Sequence, residues 1–140
     1  MSTEIDGVIV DTIMLIDDSE ADNYFHRLVI EEAGVAKSVE TCFNAKMALQ
    51  EIEAAMAGNR PLPDLIFLDI NMPGIDGWEF LQRYTNLVPP KQRSAVVVML
   101  STSVNPADKE RAAEIDCVRG YCSKPLEDVN LRELVGQYFK

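Results

Sequence analysis

A chain of 140 residues with 47% hydrophobic composition can bury one sizeable core and is too short for two ordinary domains. Thirteen basic against twenty-three acidic residues leave a net charge of −10, which opposes nonspecific binding to nucleic acid or an anionic membrane and suits a cation or a basic partner patch. No apolar run reaches the ~18 residues of a membrane span, the N-terminus lacks a signal-peptide pattern, and Cys42, Cys117 and Cys122 lack CxxC spacing and read as buried free thiols, so a cytoplasmic protein is expected.

Residues 1–11 mix acids with Val8-Ile9-Val10 and are expected to form a lead-in or an extra strand segment before a domain over 12–140. Thr12-Ile13-Met14-Leu15-Ile16 is a compact apolar run ending in Asp17-Asp18-Ser19, where Ser19 or Asp18 can cap a helix. That helix continues to Gly34 with Ala21, Tyr24, Phe25, Leu28 and Val29 as its predicted apolar face, and His26, the sole histidine, is expected at the surface or partly packed. Residues 35–42 give a shorter strand, and Asn44 caps a second helix, carried by Met47, Ala48, Ile52, Ala55 and Met56, that Gly58-Asn59-Arg60-Pro61 breaks.

Leu65-Ile66-Phe67-Leu68 then reads as a strand covered on both faces; it runs straight into Asp69 and is stopped by Met72-Pro73-Gly74. Trp78, Leu81 and Tyr84 mark a third helix ending before Pro89-Pro90, and residues 95–100 form a fourth buried run closed by Ser101-Thr102-Ser103. Asn105-Pro106 opens a helix over 107–115, because proline is well placed in a helix's first turn. A brief strand over 120–123 leads to Lys124-Pro125, and a last helix starts near Val129 with Leu131, Leu134, Val135 and Tyr138 inward. Five strand–helix units imply right-handed parallel crossovers and a doubly wound α/β sheet with helices on both faces; no repeat, linker or output domain is expected.

In a parallel sheet all carboxyl ends point to one edge, where ligands of open α/β sheets bind. That geometry gathers Asp17 and Asp18, Asp69, Ser101 or Thr102, and Lys124. Clustered carboxylates repel one another unless a cation sits among them. Oxygen-only donors, too few for a full cage, point to Mg²⁺ that keeps some waters and accepts phosphate oxygens. An aspartate can then act as nucleophile toward a phosphoryl group, with metal, ammonium and hydroxyl offsetting the charge on the transferred oxygens. Taken singly each residue has a plainer role as helix cap, turn former or surface charge, and it is their joint position that carries the reading.

The stretches Asp17-Asp18, Leu68-Asp69-Ile70-Asn71-Met72-Pro73-Gly74-Ile75-Asp76-Gly77 and Gly120-Tyr121-Cys122-Ser123-Lys124-Pro125 give the chain a resemblance to the receiver domains of two-component response regulators, in particular the single-domain kind. The resemblance implies a flavodoxin-like (βα)5 fold with strand order 2-1-3-4-5. It implies that Asp69 accepts phosphate, that Asp17, Asp18, Asp69 and Asn71 bind Mg²⁺, that Lys124 pairs with the acceptor and then with phosphate, and that Pro125 follows a cis peptide bond. Tyr121 matches an aromatic switch position that turns inward when a hydroxyl after the fourth strand moves to bond the phosphoryl group. Counting from the end of the apolar run selects Ser101 for that hydroxyl and counting back from Lys124 selects Thr102; Ser101 is preferred. Side chains at Asn71 and Ser103 are implied to tune hydrolysis.

The implied partners are a histidine kinase or histidine phosphotransfer protein and a downstream protein target or self-association, without nucleic acid or membrane. The only chemistry implied is the chain's own phosphorylation and slow dephosphorylation. A Mg²⁺-dependent phosphohydrolase of small substrates and a phosphate-independent binding module are the alternatives. Two departures from the family pattern stand out: a long segment over 86–94 containing Pro89-Pro90, and the lack of a glycine over 114–118.

Overall fold

The computed structural model describes residues 9–92, 95–103 and 105–139. Residues 1–8 of the expected lead-in, and Arg93 and Ser94 of the long segment, lie outside the described residues. The elements run β1 (Val10–Ile16), α1 (Glu20–Ala33), β2 (Ala36–Cys42), α2 (Ala45–Ala57), β3 (Leu65–Leu68), α3 (Gly77–Leu87), a short 3-10 turn (Pro90–Gln92), β4 (Val96–Ser101), α4 (Pro106–Ala113), β5 (Val118–Ser123) and α5 (Asp128–Tyr138). The five strands form one parallel sheet in the order β2-β1-β3-β4-β5, as expected of the flavodoxin-like arrangement. β1 begins at Val10, whose partner is Ala36, so the first strand takes in two residues that the sequence reading assigned to the lead-in. No helix among the described residues is long and apolar enough to cross a membrane.

Side chains on successive strand residues face opposite ways, and this alternation sorts the core into two layers. Met14, Ile16, Ile66, Leu68, Val97 and Met99 face α2 and α3, where Ala48, Ile52, Phe80, Leu81 and Tyr84 meet them. Ile13, Leu15, Leu65, Phe67, Val98 and Leu100 face the other way, against Ile30 of α1 and Leu131 and Val135 of α5. β3 and β4 are buried throughout, which is why their sequences are unbroken apolar runs rather than alternating ones.

Side-chain caps set most helix starts. Ser19 Oγ accepts from the Asp22 N–H at 3.1 Å, Asn44 Oδ1 from Met47 N–H at 2.7 Å, Asp76 Oδ1 from Glu79 N–H at 2.9 Å and Asn105 Oδ1 from Ala107 N–H at 3.0 Å. α4 ends at Ala113, two residues short of its predicted end, and buries only Ala112.

The phase of α1 differs from the prediction. Its buried residues are Asn23, His26, Ile30 and Ala33, while Tyr24, Phe25 and Leu28 of the predicted inner face are exposed to 67%, 47% and 39%. The cause is the Asn23 amide, whose Nδ2 donates to the Asp17 carbonyl at 2.9 Å and the Cys42 carbonyl at 3.3 Å and so turns this polar side of the helix toward the sheet edge. His26 therefore lies 2% exposed rather than at the surface or partly packed, and burial pushes its pKa down. No disulfide joins the cysteines, as expected, but only Cys42 is fully buried, its thiol pushed up to about 12 by desolvation; Cys117 and Cys122 are half-buried.

Candidate functional site

The carboxyl edge of the sheet receives one polar residue or pair from each of four strands. Asp17 and Asp18 follow β1, Asp69 follows β3, Ser101 closes β4 and Lys124 follows β5. One carboxylate oxygen from each of Asp17, Asp18 and Asp69 lies within 4.8 Å of the others. Asp17 and Asp69 are 5% and 6% exposed, whereas Asp18 faces solvent.

Asp17 is held from several sides: its N–H donates to the Cys42 carbonyl at 3.1 Å, its own carbonyl takes the Asn23 amide, and its Oδ1 accepts the Ser19 N–H at 3.0 Å. The Asp69 N–H donates to the Ile16 carbonyl at 3.0 Å, which ties the acid to the end of β1. The loop beyond it turns at Gly74, whose φ of 77° suits a residue without Cβ, and closes where the Gly77 N–H donates to the Ile70 carbonyl at 2.8 Å. Burial pushes the Asp69 carboxyl up to about 6, and the neighbouring Asp17 charge adds to this against the opposing pull of Lys124.

The Lys124 ammonium sits among carboxylates, 2.6 Å from Asp17 Oδ2, 2.9 Å from Asp22 Oδ2 and 3.6 Å from Asp69 Oδ1. Burial alone would lower its pKa; the bonds to Asp17 and Asp22 overcome that and hold it above the ordinary lysine range. Its backbone N–H donates to the Ser101 carbonyl at 3.0 Å, and its peptide bond to Pro125 is cis, as expected.

Ser101 is fully buried and its Oγ accepts the Ser103 N–H at 3.1 Å, while Thr102 points to solvent. Tyr121 is half-buried on β5, its hydroxyl donating to the Ser103 carbonyl at 3.3 Å, so both residues expected to take part in switching meet the same short segment after β4. Asn71 is exposed in the loop after Asp69. The structure thus brings Asp17, Asp18, Asp69 and Lys124 together, turns Ser101 inward and Thr102 outward, and leaves Asn71 and Tyr121 at the margins.

Asp22 and Asn23 were missed by the sequence reading. Both lie in the first turn of α1 and are not among the residues of its predicted apolar face, and the capping pattern beginning at Ser19 was their only local signal. The donors around the acid cluster are oxygens, with no histidine or cysteine in the cluster, and the raised Asp69 carboxyl is what a cation among the three would relieve. That donor set fits Mg²⁺.

Comparison with known proteins agrees with this geometry. The family model described as "Response regulator receiver domain" matches residues 13–136. The "Probable methanogenesis regulatory protein FilR2" of Methanothrix harundinacea is 30% identical over 123 residues, covering 88% of this chain and 77% of that protein. A two-component response regulator from Cytophaga hutchinsonii superposes with a TM-score of 0.86 at 30% identity, over 93% of this chain and 97% of that one. The phosphorylated cyanobacterial phytochrome response regulator RcpA superposes with a TM-score of 0.71 at 28% identity, over 91% and 90%. With the family match covering nearly all of both core layers and every acidic residue of the edge cluster, the chain belongs to the response regulator receiver domain family of two-component signalling proteins.

Proposed function

We propose that the chain is a phosphorylation-dependent switch whose acceptor is Asp69. The observation that carries this reading is the set of three carboxylates within 4.8 Å of one another beside a half-buried ammonium, at the edge where a parallel sheet presents its ligands. Asp17, Asp18 and Asp69 would hold Mg²⁺, joined by the Asn71 carbonyl that the family resemblance assigns to it. The ion would supply charge neutralisation for the acid cluster and for the transferred phosphoryl oxygens.

In the transfer, an Asp69 carboxylate oxygen forms a bond to phosphorus as the bond from phosphorus to the donor's imidazole nitrogen breaks, and the imidazole leaves with the electron pair. Lys124 lies close enough to Asp69 to meet the new phosphoryl oxygens. Ser101 is assigned as the switch hydroxyl, since it is the one buried at the end of β4, with Tyr121 responding through the shared Ser103 segment. The signal leaves through the face made by α4, β5 and α5, where α4 is held by little buried surface. That the RcpA relative is phosphorylated supports the reading of this chain as a phosphorylated switch.

The donor is proposed to be a histidine kinase or phosphotransfer protein in the cytoplasm. Receiver segments related to this chain occur within histidine kinases, among them hybrid kinase D of Dictyostelium discoideum. Exposed Tyr24 of α1 and Phe43, two residues before α2, line one cleft and supply apolar surface of the kind that marks protein contact.

The test is labelling by acetyl phosphate. Mg²⁺-dependent incorporation that stops at one equivalent and is released by hydroxylamine supports the switch. Turnover of small phosphate esters beyond one equivalent would point to a phosphohydrolase, and absence of label to a phosphate-independent binding module. Asp18→Ala, which removes the solvent-facing carboxylate, is expected to weaken Mg²⁺ binding at least about tenfold, the loss that removing even an outer partner of a metal ligand brings. Titration of Trp78 emission reads this; unchanged affinity would remove Asp18 from the metal site.

A further inference from the structure

Asp22 is the fourth carboxylate of the edge, and it stands apart from the other three. Among the described residues the grouping that could hold a cation comprises Asp17, Asp18 and Asp69, without Asp22. Its Oδ2 instead lies 2.9 Å from Lys124 Nζ, across 102 residues of sequence, joining the first turn of α1 to the loop after β5.

Local helix capping does not account for this side chain. Asp22 stands three residues after the N-cap Ser19, where an acid commonly reaches back to the N-cap N–H. Here that N–H is already taken by Asp17 Oδ1 at 3.0 Å. The Asp22 carboxylate is directed to the ammonium instead.

We propose that Asp22 is a positioning residue for the acceptor site: with Asp17 it anchors the Lys124 ammonium, leaving it within ion-pair distance of Asp69 but outside hydrogen-bond distance. An ammonium has three N–H donors. Two are engaged at 2.6 and 2.9 Å by Asp17 and Asp22, and the 3.6 Å left to Asp69 is longer than a hydrogen bond. The attacking oxygen thereby keeps its lone pairs, while a cation stands ready where phosphoryl charge will appear. Asp17 is also a member of the acid cluster, so any cation bound there competes with Lys124 for it; Asp22 is the anchor outside that competition. Without Asp22 the ammonium has only Asp17 and Asp69 to turn to, and closing on Asp69 would tie up the nucleophile. The role in phosphorylation rests on the proposed acceptor function of Asp69.

A double-mutant cycle of Asp22→Asn and Lys124→Gln tests both parts. In metal-free protein, urea unfolding is expected to show Asp22→Asn shifting the folding equilibrium about threefold to fivefold toward the unfolded state, the modest size set by a carboxylate that is 42% exposed. In the Lys124→Gln background that loss should vanish or reverse. With Mg²⁺ and acetyl phosphate, Asp22→Asn is expected to label Asp69 several-fold more slowly, and Asp22→Glu to recover most of the rate. An equal stability loss in both backgrounds would make Asp22 a helix-end residue only and overturn the proposal. An intact cycle with an unchanged labelling rate would reduce the contact to a structural one and equally overturn the positioning role. Absence of label on the unaltered protein would instead strike the acceptor reading, and the unfolding cycle would still decide whether Asp22 anchors Lys124.

Discussion

Asp69→Asn is expected to abolish hydroxylamine-sensitive labelling by acetyl phosphate while making the metal-free protein more stable at neutral pH. The first half follows from chemistry: an amide oxygen at the same position is too weak a nucleophile to take the phosphoryl group. The second follows from linkage. In the folded protein the Asp69 carboxyl is raised to about 6 by burial and by Asp17, against an ordinary value of 3.8. A carboxylate raised on folding favours the folded state while it is protonated, and that contribution fades as pH climbs from about 4 through 6. At pH 7.5 the wild-type chain therefore carries the penalty of a buried charge that asparagine lacks. The full shift sets a ceiling of about 3 kcal/mol, and screening at this open edge reduces the expected gain to about 1–2 kcal/mol. Urea unfolding of both proteins in EDTA at pH 7.5 and pH 4 reads it: the gain should be present at the higher pH and absent at the lower. Persistent label would displace Asp69 as nucleophile; a variant less stable at pH 7.5 would mean that the Lys124 attraction outweighs burial and the Asp17 repulsion.

How far the sequence revealed the site depends on what kind of interaction held each residue. The buried runs of β3 and β4 announce themselves because strands covered on both faces are nearly continuous apolar runs, and Asp69 is legible as the point where such a run stops. Parallel pairing then collects Asp17, Asp18, Ser101 and Lys124 without any further information. The strand order itself came from the family resemblance, since spacing alone does not say which strand neighbours which. The phase of α1 was read wrongly because the helix buries Asn23 and His26 and leaves Tyr24 and Phe25 in solvent, a reversal that apolar periodicity cannot anticipate. Ser101 and Thr102 are separated by one residue of strand length: β4 continues through Ser101, which buries that hydroxyl and exposes the next. Asp22 escaped notice because its partner is 102 residues away and its local context resembles an ordinary helix start.

Gly77→Ala is expected to be among the most damaging single changes near the site, although alanine is ordinarily up to about 1 kcal/mol better than glycine in a helix. Gly77 is the first residue of α3, and there the helix backbone lies directly against the chain at Asp69 and Ile70. A Cβ at this position would lie 2.6 Å from the Asp69 carbonyl oxygen and 2.9 Å from the Ile70 Cα. Both are backbone atoms, so no side-chain rotation relieves the clash; either α3 retreats from the loop or the loop moves off β3. The Asp69 N–H bond to the Ile16 carbonyl resists the second movement, and the burial of Phe80, Leu81 and Tyr84 resists the first. Overpacking of this kind costs about 1–3 kcal/mol, and the upper end is expected here. Labelling should fall further than stability, about a hundredfold for a nucleophile displaced by an ångström. Gly74 supplies the control: nothing lies within 4 Å of an added Cβ there, so Gly74→Ala meets only the strain of its φ of +77°, about 1 kcal/mol, and should label at close to the normal rate. Denaturation midpoints and initial labelling rates of the two variants separate the effects. If Gly77→Ala matches Gly74→Ala in both, the start of α3 is free to slide and the position of Asp69 is set by β3 alone; if it loses labelling while remaining folded, the contact between α3 and the Asp69 backbone is what holds Asp69 in register with Lys124.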